Sequence, residues 1–134
     1  MDNFSLKLAE HIAIIKIELV SATLRDSQEL WDMMDINSIF EKQKIIIDLS
    51  DCTFVDSTFI GMIVKIYRRI NENNGILKLV FPQVTDLESF RLIGITRILE
   101  CFKSVDNAIE SFNPDASVAK IKIDEESVKH IVTA

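Results

Sequence analysis

The residues best suited to chemistry in this sequence are two neighbouring hydroxyls, Ser57 and Thr58, which directly follow Asp56. The apolar residues after them recur with helical spacing, so the three residues lie at the predicted start of a helix. The first amide N–H groups of a helix lack backbone partners, and the helix dipole adds partial positive charge there. A phosphate on Ser57 would find donors without refolding, but the pattern is also that of an ordinary N-cap formed by Asp56 or Ser57.

The other reactive side chains form no catalytic or metal-binding pattern. His11 falls in an alternating strand and His130 near the end of the chain, and no motif places a nucleophile or a metal ligand beside either. Cys52 and Cys101 lack CxxC or Cys/His spacing, so we expect two buried thiols. Three glycines are too few for a phosphate-cradling loop of the GxGxxG or GxxxxGK[ST] type. We therefore expect no enzyme, no metal and no cofactor.

The composition is that of one acidic globular domain. Of 134 residues, 48% are hydrophobic and 27% are charged, which suits a single compact core. The net charge of -6 repels phosphate backbones, and the short basic cluster of Lys65, Arg68 and Arg69 fits a solvated helix face, so nucleic acid is not an expected partner. No segment resembles a signal peptide or a membrane span, so we predict a cytoplasmic protein without membrane contact.

The first part of the chain is predicted to form a hairpin and then a helix. Apolar and polar residues alternate from residue 4 to residue 8, and an apolar run follows over residues 12–19, so two strands meet near Glu10. The apolar spacing then changes to three and four residues. This change indicates an amphipathic helix, which Asp26 or Ser27 would cap.

The middle of the chain predicts the centre of the sheet. Residues 44–49, KIIIDL, form a continuous β-branched apolar run of the kind that is covered on both faces. A loop and a helix over residues 57–71 follow. We expect Gly75 to end that helix in the left-handed conformation, and residues 76–81 to form the next strand, which Pro82 stops.

The last third predicts a helix over residues 85–93, closed by Gly94, a short strand over residues 98–102 and a helix over residues 105–112. The full order is ββαβαβαβα. Alternating strands and helices of this kind predict an α/β fold with a mixed, mostly parallel sheet and helices packed on it.

We divide the chain into a domain of residues 1–112 and a C-terminal extension of residues 113–134. The extension contains a short alternating piece, Ile-Lys-Ile, at residues 121–123. We expect it to be docked or mobile.

The run from Ile45 to Gly61, IIIDLSDCTFVDSTFIG, resembles the signature of the STAS domain of bacterial anti-sigma factor antagonists. There, an apolar strand leads into Asp-Ser-Ser or Asp-Ser-Thr and then Gly-Leu-Gly. The likeness continues into VTDLESFRLIGITRILECF, where Phe90 and Gly94 hold the places of a Phe-x-x-x-Gly helix. It extends over residues 4–112, and it implies a STAS-like fold.

The resemblance also implies a function. In that family the serine after the aspartate is phosphorylated by an anti-sigma factor that is also a GHKL-type serine kinase, and a PP2C-type phosphatase removes the phosphate. Ser57 holds that place here, with Thr58 as the alternative acceptor. The unmodified form would bind the anti-sigma factor and the phosphorylated form would release it. The alternative function is a STAS interaction subunit, not phosphorylated, in a larger signalling complex or a lipid ABC transporter.

The resemblance places partner contacts around the same triplet, and two positions depart from the family. Phe59 replaces the family's first glycine after the triplet, and we favour core packing for its ring over an exposed partner contact. Residues 20–27, VSATLRDS, replace a Gly-Glu-x-Asp-like turn that contacts the partner. A second copy of the chain, forming a homodimer, is a further candidate partner. The predicted partner-binding residues are Asp56, Ser57, Thr58, Phe59 and Gly61.

Overall fold

The structure is a computed structural model in which residues 3–82 and 94–113 are described. Within these ranges a hairpin leads into alternating strands and helices. Short 3-10 helices lie at Ile39–Glu41 and Ile95–Arg97. The strands and helices are β1 (Phe4–Ala9), β2 (Ile12–Ile17), β3 (Ser21–Ala22), α1 (Leu24–Ile36), β4 (Lys44–Asp48), β5 (Phe54–Val55), α2 (Ser57–Glu72), β6 (Ile76–Val80), β7 (Cys101–Phe102) and α3 (Val105–Ser111).

The main sheet has five strands in the order β1-β2-β4-β6-β7. β1 and β2 are antiparallel and turn at Glu10 and His11, which both adopt positive φ angles. The other neighbours in this sheet are parallel. The predicted α/β class, the N-terminal hairpin and the central place of β4 are thus confirmed.

The core lies on both faces of the sheet because β4 is apolar on both. Ile45 and Ile47 face the larger cluster, which includes Leu30 of α1 and Ile63 of α2. Ile46 faces the smaller cluster, to which α3 contributes Ala108. A continuous apolar run is what a strand between two helical layers requires.

The predicted basic cluster lies on an exposed face of α2, as expected for a solvated helix surface. Two of its members also pack on aromatic rings from the α1 region. Lys65 Nζ lies 5.0 Å from the centroid of Trp31, and Arg69 Cζ lies 5.4 Å from that of Phe40. Such cation–π contacts help to hold α2 beside α1.

Two expectations about helix ends were wrong. α1 is capped by Thr23 rather than by Asp26 or Ser27, and Asp26 instead accepts a hydrogen bond from the Thr23 amide over 3.0 Å. After α2 the left-handed residue is Asn74, with φ 63°, and Gly75 does not have a positive φ. Asparagine tolerates this conformation because its short polar side chain can bond locally.

Gly75 is required for close packing instead. A Cβ built on it would lie 2.8 Å from Ile70 Cγ2 and 2.8 Å from the carbonyl oxygen of Lys42. The second neighbour is backbone and cannot rotate away. The glycine therefore lets the end of α2 approach the segment that leads into β4.

The C-terminal part differs from the expectation in the length of one strand. β7 covers only residues 101–102, because residues 98–100 form a turn after the 3-10 helix at residues 95–97. Gly94 has φ 86°, a conformation that suits glycine. α3 is confirmed. The predicted helix over residues 85–93 and most of the C-terminal extension, with His130, lie outside the described residues.

We predict that Gly75→Ala lowers the free energy of unfolding by about 1–3 kcal/mol, because the added methyl group meets atoms that cannot all move away. Urea denaturation followed by circular dichroism measures this. Gly61→Ala is the matched control, since a Cβ there meets nothing within 4 Å. That control should raise the free energy of unfolding by about 0.5–1 kcal/mol, as expected for an exposed helix position. Equal stability of Gly75→Ala and wild type would contradict the packing account.

Candidate phosphorylation and protein-binding site

The candidate site lies at the start of α2, where the loop after β4 meets the loop after β2. Two short strands that the sequence did not predict join these loops: Ser21 pairs with Phe54, and Ala22 pairs with Val55, in parallel. The backbone amide of Thr53 also donates to the carbonyl oxygen of Val20 over 2.8 Å. The predicted 50–56 loop is therefore held in place by backbone pairing just before the site.

The Asp56 carboxylate links the two helices of this region. Oδ1 accepts from the backbone N–H of Phe59 over 2.8 Å, which makes Asp56 the N-cap of α2. Oδ2 accepts from the backbone N–H of Leu24, the first residue of α1, over 3.2 Å. The Asp56 amide donates to the Ala22 carbonyl oxygen over 3.0 Å. One carboxylate thus stabilises the positive ends of two helix dipoles.

Ser57 and Thr58 are the first two residues of α2, and both are exposed. An incoming reagent can therefore reach the Ser57 hydroxyl. Their amides are at positions where an α-helix provides no internal acceptor, whereas the third amide is already bound by Asp56. A phosphate on Ser57 would have those first two amides as nearby hydrogen-bond donors. The adjacent Asp56 carboxylate would repel it.

Phe59 is fully buried, which confirms core packing. Its side chain belongs to the larger core cluster, together with Ile60 and Ile63 of the same helix. The ring therefore supports the site from within the core and is not exposed on the surface that a partner would meet. Its burial also ties the first turn of α2 to the sheet.

Gly61 lies one helical turn after Ser57, on the same side of α2, and it is exposed. Open space surrounds the position where a Cβ would be, so the fold itself does not require glycine here. Glycine inside a helix costs roughly 1 kcal/mol relative to alanine. Gly61 thus leaves the surface beside Ser57 without a side chain at this position.

Three exposed apolar side chains lie next to the site, and the sequence analysis did not identify them as candidate contacts. Val20 is 68% exposed, Leu24 is 65% exposed and Phe54 is 53% exposed. The contacts of β3 with β5, and of Leu24 with Asp56, bring these three residues to the same end of the molecule. The sequence feature that could have identified them is the presence of apolar residues in or beside segments predicted to be loops. We call Val20, Leu24 and Phe54 the apolar surface.

The remaining candidate groups show no activation in the described part of the chain. Burial raises the pKa of the Cys52 thiol to about 12, and Asp51 adds to the rise. Burial likewise raises the pKa of the Cys101 thiol to about 12, assisted by Glu100. Cys52 is buried as predicted, whereas Cys101 is only partly buried. His11 is exposed in the hairpin turn, and the described residues contain no cluster of three or more metal-ligating side chains.

Comparison with known proteins identifies the family. A sequence profile of the STAS domain matches residues 6–108. The chain belongs to the STAS domain family. This confirms the resemblance carried by the strand, the Asp-Ser-Thr triplet and the following helix. None of the curated proteins matches this STAS domain, and no helix among the described residues is long and apolar enough to cross a membrane.

Solved structures share the fold of this STAS domain. A candidate anti-sigma factor antagonist of Thermotoga maritima is 22% identical with a TM-score of 0.66, over 81% of this chain and 92% of that one. An anti-sigma factor antagonist of Mycobacterium paratuberculosis is 13% identical with a TM-score of 0.68, over 81% and 91%. The Bacillus cell fate determinant SpoIIAA in its phosphorylated form is 18% identical with a TM-score of 0.61, over 82% and 99%.

We predict that Asp56→Ala lowers the free energy of unfolding by about 1–2 kcal/mol, because α2 loses its N-cap and the amide of Leu24 loses its acceptor. Chemical denaturation measures the change. Asp51→Ala is the control, since Asp51 only forms a half-exposed ion pair with Lys16 at 3.3 Å and should cost less than about 0.5 kcal/mol. The structural role assigned to Asp56 fails if the two variants are equally stable.

Proposed function

We propose that this STAS domain is an anti-sigma factor antagonist whose binding to an anti-sigma factor is switched off by phosphorylation of Ser57. The observation that carries the proposal is the exposed Ser57 hydroxyl on the first turn of α2, beside two amides with no helical acceptor. Solved structures of SpoIIAA in the unphosphorylated and phosphorylated forms, which share this fold, add support. Thr58 is the alternative acceptor because it is also exposed.

The partners follow from the same proposal. A GHKL-type anti-sigma factor would act as both binding partner and serine kinase, and a PP2C-type phosphatase would reverse the modification. The protein would work in the cytoplasm and would regulate transcription by freeing a sigma factor. The domain for this role covers residues 1–112, since β7 and α3 complete the sheet and its second face.

The proposed docking surface combines the apolar surface with the exposed start of α2. Asp56, Ser57, Thr58 and Gly61 would lie in contact with the partner, and the apolar surface beside them would supply much of the binding energy. Exposed aromatic and aliphatic side chains that become buried against a partner are the usual anchors of such interfaces.

The charge already present explains how a phosphate would release the partner. Asp26 accepts from the amide of Thr23, the N-cap of α1, and Asp56 accepts from that of Leu24, so two carboxylates lie next to the apolar surface. A phosphate on Ser57 would add about -1.5 to -2 charges there. Desolvating that group in an interface is unfavourable unless cations pair with it. Release thus needs no rearrangement of the fold.

We predict that incubation of the protein with its cognate GHKL-type kinase and ATP adds one phosphate, and that this phosphate is on Ser57. Tandem mass spectrometry locates the modified residue. Ser57→Ala should abolish the modification while retaining partner binding, and Thr58→Ala should leave it intact. Ser57→Asp should weaken partner binding by roughly tenfold or more, because it places charge in the interface. Isothermal titration calorimetry measures the affinity.

Two results would overturn this proposal. One is equal affinity of Ser57→Ala and Ser57→Asp for the anti-sigma factor. The other is a stable complex with a transport ATPase that forms without ATP-dependent phosphorylation, which would support the alternative of a STAS subunit in a transporter. A stable, phosphorylation-independent complex with other signalling proteins would support the larger signalling assembly.

We also predict that Leu24→Ala and Phe54→Ala each weaken partner binding by about 1–3 kcal/mol, as expected for anchors that are buried on docking. Ile36→Ala is the matched control, because Ile36 is 80% exposed at the other end of α1. All three variants should unfold at nearly the same temperature as wild type. Equal losses for Ile36→Ala and Phe54→Ala would show that the apolar surface is not the contact.

A further inference from the structure

The outer edge of β1 carries exposed apolar side chains. β1 lies at one end of the main sheet, and among the described residues it pairs only with β2. Leu6 is 39% exposed and Leu8 is 61% exposed, and a spacing of two places both on the same face of the strand. An edge strand with exposed apolar residues is a ready template for pairing with a strand of another chain.

The register of the hairpin shows which backbone groups of β1 face this edge. The carbonyl oxygen of Asn3 accepts from the amide of Glu18 over 2.7 Å, one position beyond the end of the β1–β2 register. In an antiparallel pair, alternate residues direct both backbone groups toward the partner strand, and the residues between them direct both groups away. The odd-numbered residues therefore bond to β2, and Phe4, Leu6 and Leu8 direct their N–H and C=O groups to the outer edge.

β1 is complementary to a second copy of itself in one antiparallel register, with a twofold axis at Leu6. Leu6 then lies opposite its own counterpart, and Leu8 lies opposite Phe4 of the second copy, so the outward backbone groups meet in hydrogen-bonded pairs. On the other face, Lys7 lies opposite Ser5 and meets no like charge.

The neighbouring twofold registers are less favourable. An axis at Lys7 would place two lysines directly opposite each other, which is destabilising. An axis at Ser5 would move Leu8 past the end of the neighbouring β1 and leave it uncovered. The sequence of β1 thus selects the register centred on Leu6.

We propose that two copies of this chain form a homodimer through β1, antiparallel about a twofold axis at Leu6, so that their five-stranded sheets continue into each other. The same patch is used by both copies, as a twofold interface requires. Phe4 already packs against the larger core cluster, so Leu8 of the second copy extends that apolar layer across the axis. The proposal is independent of Ser57 and of any anti-sigma factor.

Sedimentation velocity of the full-length protein over a concentration series tests the interface. Wild type should convert from monomer to dimer as its concentration rises. The double variant Leu6→Asn/Leu8→Asn should raise the dissociation constant of the dimer roughly tenfold or more, because it removes the apolar contact from both copies. Ile36→Asn is the control, with the same new side chain at an exposed position of α1, and should dimerise like wild type.

Charge changes at Ser5 test the register. Ser5→Glu should lower the dissociation constant roughly threefold or more, because it places a carboxylate opposite Lys7 on both sides of the axis, and Ser5→Lys should raise it by a similar factor. The exchange Ser5→Lys/Lys7→Ser keeps a lysine opposite a serine and should restore wild-type dimerisation. Ser5 also lies opposite Lys16 of β2, so the thermal unfolding of each variant is measured to separate the effect within one chain.

Two results would overturn the proposal. The first is a wild-type protein that stays monomeric throughout the concentration series, whatever covers the edge of β1. The second is a dimer whose dissociation constant is the same in wild type, Ser5→Glu and Ser5→Lys. The Ser5 variants decide the matter if circular dichroism shows that Leu6→Asn/Leu8→Asn does not fold. Neither result bears on anti-sigma factor binding or on Ser57, so the switch proposal is tested separately.

Discussion

The arrangement of the candidate site depends on the two hydrogen bonds that the Asp56 carboxylate accepts. One comes from the start of α2 and the other from the start of α1. Each helix begins with amides that its own turns cannot satisfy, so a shared anion lowers the free energy of both ends together. The β3–β5 pairing aligns the segments that lead into α1 and α2, next to the Asp56 hydrogen bonds. The exposed Ser57 hydroxyl and the apolar surface therefore have fixed positions relative to each other.

The parallel sheet explains why two segments distant in sequence form one surface. β2 and β4 are adjacent and run in the same direction, so the loops that follow them leave from the same edge. The segment from β2 to the start of α1 carries Val20 and Leu24, and the segment from β4 to the start of α2 carries Phe54 and Ser57. The strand order thus creates a continuous surface of apolar and hydroxyl side chains from two segments. Periodicity along the sequence does not show that these segments are adjacent.

The sequence pattern predicted the elements that are determined by interactions between residues close in sequence. The β-branched run of β4 and the apolar period of α2 specify their elements without help from distant residues, and the STAS signature placed Ser57 at a helix start. The β3–β5 pairing was missed, because two-residue strands form only where another segment lies alongside. The bond from Leu24 to Asp56 was missed for the same reason. Gly75 looked like a helix terminator, but contact with the Lys42 carbonyl oxygen is what requires it.

The burial of Phe59 limits how any modifying enzyme can engage this protein. Many kinases bind their substrates as extended segments, which here would require the first turn of α2 to unwind. Unwinding would draw the Phe59 ring into water, at a cost of roughly 1.5–3 kcal/mol for the side chain alone, and would also break the Asp56 cap. An enzyme that recognises the intact helix end with its neighbouring loops avoids this cost, and its specificity would then reside in the shape of a folded surface rather than in a linear motif.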